Sequence, residues 1–227
     1  MDTSDQICCL VVGELETNCY AYVSEGDCLV VDPGASGARI AQALQDVKVT
    51  QVVATHRHHD HVGGIKALVE ATGAPWAIGA IDAEGATTAI ELSTHIFDAF
   101  DAANKELDDP PAADRLLNEG DLLEVGTARF RVIDTPGHTP GGIVLIGEGS
   151  AEGVAFVGDT LFAGACGRCD LVGGNWSQMQ KTLERLAQLI DPKTTLLCGH
   201  GPTTTMAHEL ATNPYLQPGA WRPSHNA

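Results

Sequence analysis

The segment Thr55-His56-Arg57-His58-His59-Asp60-His61 puts four histidines and one aspartate into seven residues, with Gly63-Gly64 just beyond. Imidazole and carboxylate are the side chains that zinc and other first-row metals favour. The preceding Gln51-Val52-Val53-Ala54 is a short apolar stretch that reads as a buried strand. The histidines therefore sit on a loop leaving a strand end, and the glycines let the backbone turn tightly into a helix. His56 and His58 alternate along an extended backbone and can face one cation together. Asp60 and His61 lie past the turn and can face a second position. A histidine tract can also be a tag or a loose metal-binding tail. This one is interior, interrupted by Arg57 and Asp60, and framed by a strand and a glycine turn. It predicts a metal site at the end of a strand, and the fold must bring further ligands there.

Composition bounds the rest. The 227 residues suit one large domain, which can bury a core without disulfide staples. A net charge of −17 argues against nucleic acid and anionic membranes as partners. It reads as a solvated acidic surface. No stretch has the length of a transmembrane helix, and Met1-Asp2-Thr3-Ser4-Asp5 lacks the basic and apolar regions of a secretion signal. The seven cysteines are an odd number, several of them in apolar runs. They read as free thiols in a reducing cytoplasm. Cys166 and Cys169 form a C-x-x-C pair with no second pair to complete a zinc knuckle, so they are expected to be structural.

Strand patterns run over Ile7–Val12, Cys19–Val23 and Cys28–Val31, with a turn at Glu25-Gly26-Asp27. A helical pattern begins at Arg39–Leu44, a strand leads to Ala54, and a helix follows over Ile65–Ala71. This alternation predicts a layered α/β domain. Residues 80–111 are rich in Ala, Asp and Glu and read as an exposed helical insertion into a single domain spanning 1–227. Strand patterns resume at Leu122–Val125, Ala128–Ile133, Gly142–Ile146 and Val154–Val157. Met179, Leu183, Leu186 and Ile190 give the helical period of a segment over Trp176–Leu189. Thr195–Cys198 is a last strand and Met206–Ala211 a last helix.

Three later strands each end in a polar motif. Arg131–Asp134 leads to Thr135-Pro136-Gly137-His138, Val154–Val157 to Gly158-Asp159-Thr160, and Thr195–Cys198 to Gly199-His200-Gly201. Functional groups gather at strand ends because the sheet is rigid and the loops converge there. With these motifs in hand, the chain resembles the metallo-β-lactamase fold, and within it the glyoxalase II-like hydrolases of the short, single-domain type. The motifs are His56-x-His58-x-Asp60-His61, His138 in Thr-Pro-Gly-His-Thr-Pro-Gly, Asp159 in Gly-Asp-Thr-Leu-Phe and His200 in Gly-His-Gly-Pro. Asn18-Cys19-Tyr20, Asp32-Pro33-Gly34 and Asn213-Pro214-Tyr215-Leu216 extend it over nearly the whole chain.

The resemblance implies a four-layer αββα sandwich with its ligands along one edge of the paired sheets. It implies two divalent cations, zinc first, with iron or manganese as the other options. His56, His58 and His138 would hold one, Asp60, His61 and His200 the other, and Asp159 would bridge them. Asp60 and Asp159 would be the catalytic carboxylates. His59 is not expected to be a ligand, and Asp32 would orient ligands without binding metal. Two neighbouring metals sharing one water provide a bridging hydroxide that attacks a carbonyl. The expected reaction is hydrolysis of a small-molecule thioester, S-D-lactoylglutathione or a related hydroxyacylglutathione. Arg168 would meet a substrate carboxylate. The chain lacks the C-terminal helical domain of the long enzymes, and Asp170 stands where they carry an aromatic residue. The rival is a persulfide dioxygenase of the same fold, resembled through Gly167-Arg168-Cys169-Asp170, with one iron on His56, His138 and Asp159. Other ester or lactone hydrolysis also fits. A secreted β-lactamase is disfavoured by the missing signal and the bridging carboxylate, and RNA processing by the charge.

Overall fold

The apolar runs pair into two six-stranded sheets. The structure is a computed structural model and describes residues 5–89 and 108–217. The first sheet holds β1 (Gln6–Val12), β2 (Thr17–Ser24), β3 (Asp27–Val31), β4 (Lys48–Ala54), β5 (Trp76–Gly79) and β6 (Arg115–Leu117), side by side in that order. β1, β2 and β3 are antiparallel, whereas β3 through β6 run parallel. The second sheet holds β7 (Leu122–Val125), β8 (Ala128–Asp134), β9 (Ile143–Gly149), β10 (Val154–Gly158), β13 (Thr195–Cys198) and β14 (Thr204–Thr205). Its one parallel pair is β10 with β13. A separate small hairpin joins β11 (Leu161–Phe162) to β12 (Ala165–Cys166).

The two sheets face each other across a shared core. Tyr20, Tyr22, Leu29, Val31 and Val53 of the first meet Phe130, Val132, Leu145 and Phe156 of the second. The Tyr22 and Phe130 rings meet edge-on with centroids 4.9 Å apart, a favoured aromatic geometry. Helices cover both outer faces. α1 (Gly37–Ala43) and α3 (Ile65–Thr72) set Ile40, Ile65 and Leu68 against Val30, Val52 and Ala54. On the far side, α5 (Trp176–Leu189) and α6 (Met206–Thr212) set Met179, Leu183, Leu186 and Met206 against Val144, Val157 and Leu196. The order helix–sheet–sheet–helix is the expected four-layer sandwich.

Local sequence explains the long helix α5. Asn175 caps it, its side chain accepting a hydrogen bond from Gln178 N at 3.0 Å, a cap of about 1 kcal/mol. Its apolar stripe recurs at helical spacing, and each fully buried side chain contributes about 1.5–3 kcal/mol.

Two short helical turns flank the site: α2 (His59–Val62) and α4 (Ala83–Ala86). Of the stretch read as an exposed helical insertion, residues 90–107 lie outside the described residues. Within 80–89, exposure does not hold throughout, because Asp82, Ala86 and Ala89 are buried. All seven cysteines are free; Cys19, Cys28 and Cys198 are buried, Cys166 and Cys169 half-buried, and Cys8 and Cys9 exposed on β1. Among the described residues, no helix is long and apolar enough to cross a membrane.

Both sheets direct the ends of their parallel strands to one edge, where the backbone stitches them together. Ile143 N donates to the Thr55 carbonyl at 2.8 Å and Asn18 N to the Gly199 carbonyl at 2.7 Å, each bond crossing from sheet to sheet. Asn18 Nδ2 adds bonds to the carbonyls of Cys198 and Gly201 at 2.9 and 2.8 Å.

Candidate metal centre

At this edge seven side chains from four strand-end segments converge. The ligand atoms of His56, His58 and His138 lie within 4.8 Å of one another, and so do those of Asp60, His61 and His200. Asp159 touches both groups: Oδ2 is 3.5 Å from His138 Nε2 and 3.5 Å from His200 Nε2, and Oδ1 is 3.4 Å from His61 Nε2. His59 belongs to neither group, its Nδ1 lying 4.0 Å from Asp60 Oδ1.

The backbone explains the split within one motif. His58 is extended (φ −65°, ψ 145°), so His56 and His58 project to one side, with His56 Nε2 and His58 Nδ1 3.1 Å apart. The chain then turns into α2, which carries Asp60 and His61 to the neighbouring position.

The outward nitrogens of three rings each stand beside an oxygen. His138 Nδ1 lies 2.6 Å from the Arg168 carbonyl, His200 Nδ1 3.0 Å from the Leu15 carbonyl, and His61 Nδ1 3.0 Å from Asp32 Oδ2. An N–H directed at the Arg168 and Leu15 carbonyls leaves the Nε2 of His138 and of His200 facing inward. His138 Nε2 and Asp159 Oδ1 are buried without a hydrogen-bond partner among the described residues. His61 Nε2 and His200 Nε2 stand 3.3 Å apart, close enough for one ring to donate to the other or for both to face one cation. Inward-facing nitrogens beside carboxylates are a donor set that fits divalent metal ions.

The electrostatics agree. Burial, reinforced by the neighbouring imidazoles, pushes His56 and His58 well below the ordinary histidine range, so both are neutral and able to coordinate. Burial acts on His61 in the same sense, but the carboxylates of Asp60, Asp159 and Asp32 outweigh it and hold the ring well above that range. Burial would raise Asp60, yet His61 and His200 keep it ionised well below the ordinary carboxylate range. The carboxylates that trap a proton on His61 would trap a metal cation equally.

Asp32 stands behind His61, outside the ligand groups. It is buried in a left-handed backbone conformation (φ 54°), accepts from Thr55 N and Thr55 Oγ1 at 2.6 and 2.8 Å, and faces His61. Strained residues of this kind concentrate at functional sites. Thr55 and Thr17 were not singled out in the sequence. Thr55 Oγ1 lies 3.1 Å from His56 Nδ1, and Thr17 Oγ1 donates to Asp60 Oδ2 at 3.1 Å. Thr55 adjoins the metal-binding run, whereas Thr17 stands far upstream at the start of β2 and only the fold brings it to Asp60. Arg168 is exposed, and its guanidinium grips Asp170 through two hydrogen bonds of 2.7 Å.

Known proteins agree with this geometry. A family model described as the metallo-beta-lactamase superfamily matches residues 12–200. The chain is 36% identical over 206 residues to an uncharacterized protein of Aquifex aeolicus, covering 90% of this chain and 93% of the other. It is 34% identical over 196 residues to hydroxyacylglutathione hydrolase of Pseudomonas putida, covering 84% of this chain but 64% of that enzyme. Among solved structures, the B3 metallo-β-lactamase BLEG-1 superposes with a TM-score of 0.84 at 26% identity, covering 94% of this chain and 100% of that one. TTHA1623, in a di-iron-bound form, gives 0.80 at 30% identity, with 92% and 100% covered. A two-sheet sandwich with a histidine–aspartate cluster at its edge defines an α/β metal-binding hydrolase. The chain belongs to the metallo-β-lactamase superfamily.

Proposed function

We propose that this chain is a cytoplasmic thioester hydrolase acting on a glutathione thioester such as S-D-lactoylglutathione. The observation that carries the reading is the convergence of His56, His58, Asp60, His61, His138, Asp159 and His200, with His138 Nε2 and Asp159 Oδ1 buried and unpartnered among the described residues. His56, His58 and His138 would hold one divalent cation and Asp60, His61 and His200 another, with Asp159 reaching both; zinc suits the nitrogen-rich set, and the di-iron form of TTHA1623 keeps iron open. When bound, such a pair makes water acidic enough to attack near neutral pH and polarises the carbonyl under attack. Asp60, kept ionised and placed by Thr17, would supply negative charge to the second position. The glutathione moiety is supported by the likeness to the Pseudomonas putida enzyme, and the cytoplasm by the free thiols.

The test joins metal analysis to a thioesterase assay on one sample. Two metals per chain, and S-D-lactoylglutathione hydrolysis that chelation abolishes and added metal restores, are the expected results. His56, His61 and Asp159 also group within 4.8 Å, a two-histidine-one-carboxylate set that suits a single oxygen-activating iron. The dioxygenase reading named His138 in place of His61. One iron per chain with oxygen uptake on glutathione persulfide would move the assignment there.

Arg168 refines the substrate. Its side chain is 54% exposed and already paired with Asp170, so a substrate carboxylate must compete for it in a solvated setting. Exposed pairs of this kind contribute up to about 1 kcal/mol, roughly fivefold in affinity. The contact is remote from the carbonyl and should be equally strong in ground and transition states. Arg168→Ala is therefore expected to raise KM for lactoylglutathione roughly fivefold and leave kcat unchanged. Steady-state kinetics on a small thioester without carboxylates should show no difference. Equal harm to both substrates would remove Arg168 from substrate recognition.

A further inference from the structure

A buried carboxylate outside the ligand set holds the first metal position in shape. Asp82 sits where β5 turns into α4 and is wholly shielded from solvent. A buried charge of this kind needs compensating hydrogen bonds. Asp82 finds them on two loops that carry ligands. Its Oδ2 accepts from Arg57 N at 3.1 Å, and Arg57 lies between His56 and His58. Its Oδ1 accepts from Gly141 N at 2.8 Å, in the loop that presents His138. The Arg57 guanidinium approaches the same carboxylate, Nε to Oδ1 at 4.0 Å, and reaches on to donate to the Val172 carbonyl at 2.8 Å. Val172 lies just beyond Arg168, whose carbonyl fixes His138. Gly141 makes the approach possible, since a β-carbon there would lie 2.9 Å from Asp82 Oδ1 and closer still to its backbone nitrogen.

One side chain thus ties the first sheet's loop to the second sheet's loop, and the ring closes through Arg57 behind His138. His61 and His200 are not touched: their outward nitrogens rest on Asp32 and the Leu15 carbonyl. We propose that Asp82 is the positioning residue of the His56–His58–His138 position, setting the spacing of those three imidazoles and thereby the metal affinity there. The inference rests on the two-metal reading given above and assigns one half of that centre to this carboxylate.

The test uses the full chain as purified, stripped with chelator and titrated with Co²⁺ alone, followed by visible absorption and by competition with a chromophoric chelator. Wild type should fill two positions; a wild type that binds none overturns both readings at once. Partners that orient a metal ligand typically contribute 10–100-fold in affinity. Asp82→Ala should weaken one of the two positions by roughly that factor, change its absorption bands, and leave the other as in wild type. Asp82→Asn keeps the shape and one accepting oxygen and should fall between; it carries the test if the alanine variant fails to fold. Wild-type affinity at both positions in a folded Asp82→Asn overturns the proposal. So does an equal weakening of both positions, which marks Asp82 as general support for the fold.

Discussion

Asp159→Ala is expected to abolish thioester hydrolysis and to leave the protein unable to hold two metals. Among the described residues, Asp159 is the one carboxylate within 3.5 Å of imidazole nitrogens from both groups, through Oδ1 to His61 and through Oδ2 to His138 and His200. On the two-metal proposal, removing it would take a ligand from each cation at once. It would also remove the negative charge that screens one cation from the other. The loss in affinity should exceed the roughly 10–100-fold typical of a residue that merely orients a ligand. Metal content by mass spectrometry and kcat on lactoylglutathione are the measurements. Asp159→Asn separates shape from charge: it fills the same space but presents an amide to one of the rings. A variant that retains two metals and near-normal turnover would show that Asp159 does not serve both positions.

The convergence of the candidate ligands was legible because each is a side chain with chemistry at the end of an apolar run. His138, Asp159 and His200 follow strands whose period or apolarity stands out, and the first motif states its own geometry through alternation. Helix α5 was equally plain, because a stripe at Met179, Leu183, Leu186 and Ile190 has no other explanation. The groups behind the ligands were hidden for definite reasons. Leu15 and Arg168 act through carbonyl oxygens, which every residue owns, so their identity carries no signal. Asp82 lies in a stretch whose Ala, Asp and Glu content reads as solvent-exposed, and only the tertiary fold buries it. The strand Trp76–Gly79 is four residues long, too short for a period to emerge, and it is placed by parallel pairing between β4 and β6. Metal sites depend on such outer partners, and this one is only half written in its ligand motifs.

Gly34→Ala tests how far the second position depends on backbone contact. Gly34 ends the Asp32-Pro33-Gly34 turn, its N–H donating to the Asp32 carbonyl at 2.8 Å, and Gly64 N donates to the Pro33 carbonyl at 2.8 Å. The turn therefore lies directly against the segment carrying Asp60 and His61. A β-carbon at Gly34 would overlap the Asp60 carbonyl group and sit 3.1 Å from His61 N. Both are backbone atoms, so no side chain can swing aside. Overpacking a well-filled interior costs about 1–3 kcal/mol, and a clash against backbone belongs at or above the upper end. At roughly 2–4 °C per kcal/mol for a chain of this size, about 3 kcal/mol lowers Tm by roughly 6–12 °C. The displaced atoms also set His61 against Asp32 and Asp60 against His200, contacts of 3.0 and 3.2 Å. Metal binding at the Asp60–His61–His200 position should weaken while the His56–His58–His138 position holds. Gly73→Ala is the control: it meets nothing within 4 Å but has a left-handed φ of +70°, so it should cost about 1 kcal/mol and leave both metals in place. Wild-type Tm and two metals in Gly34→Ala would mean that α2 can shift as a unit. The motif's spacing alone, without the turn beneath it, would then suffice to place Asp60 and His61.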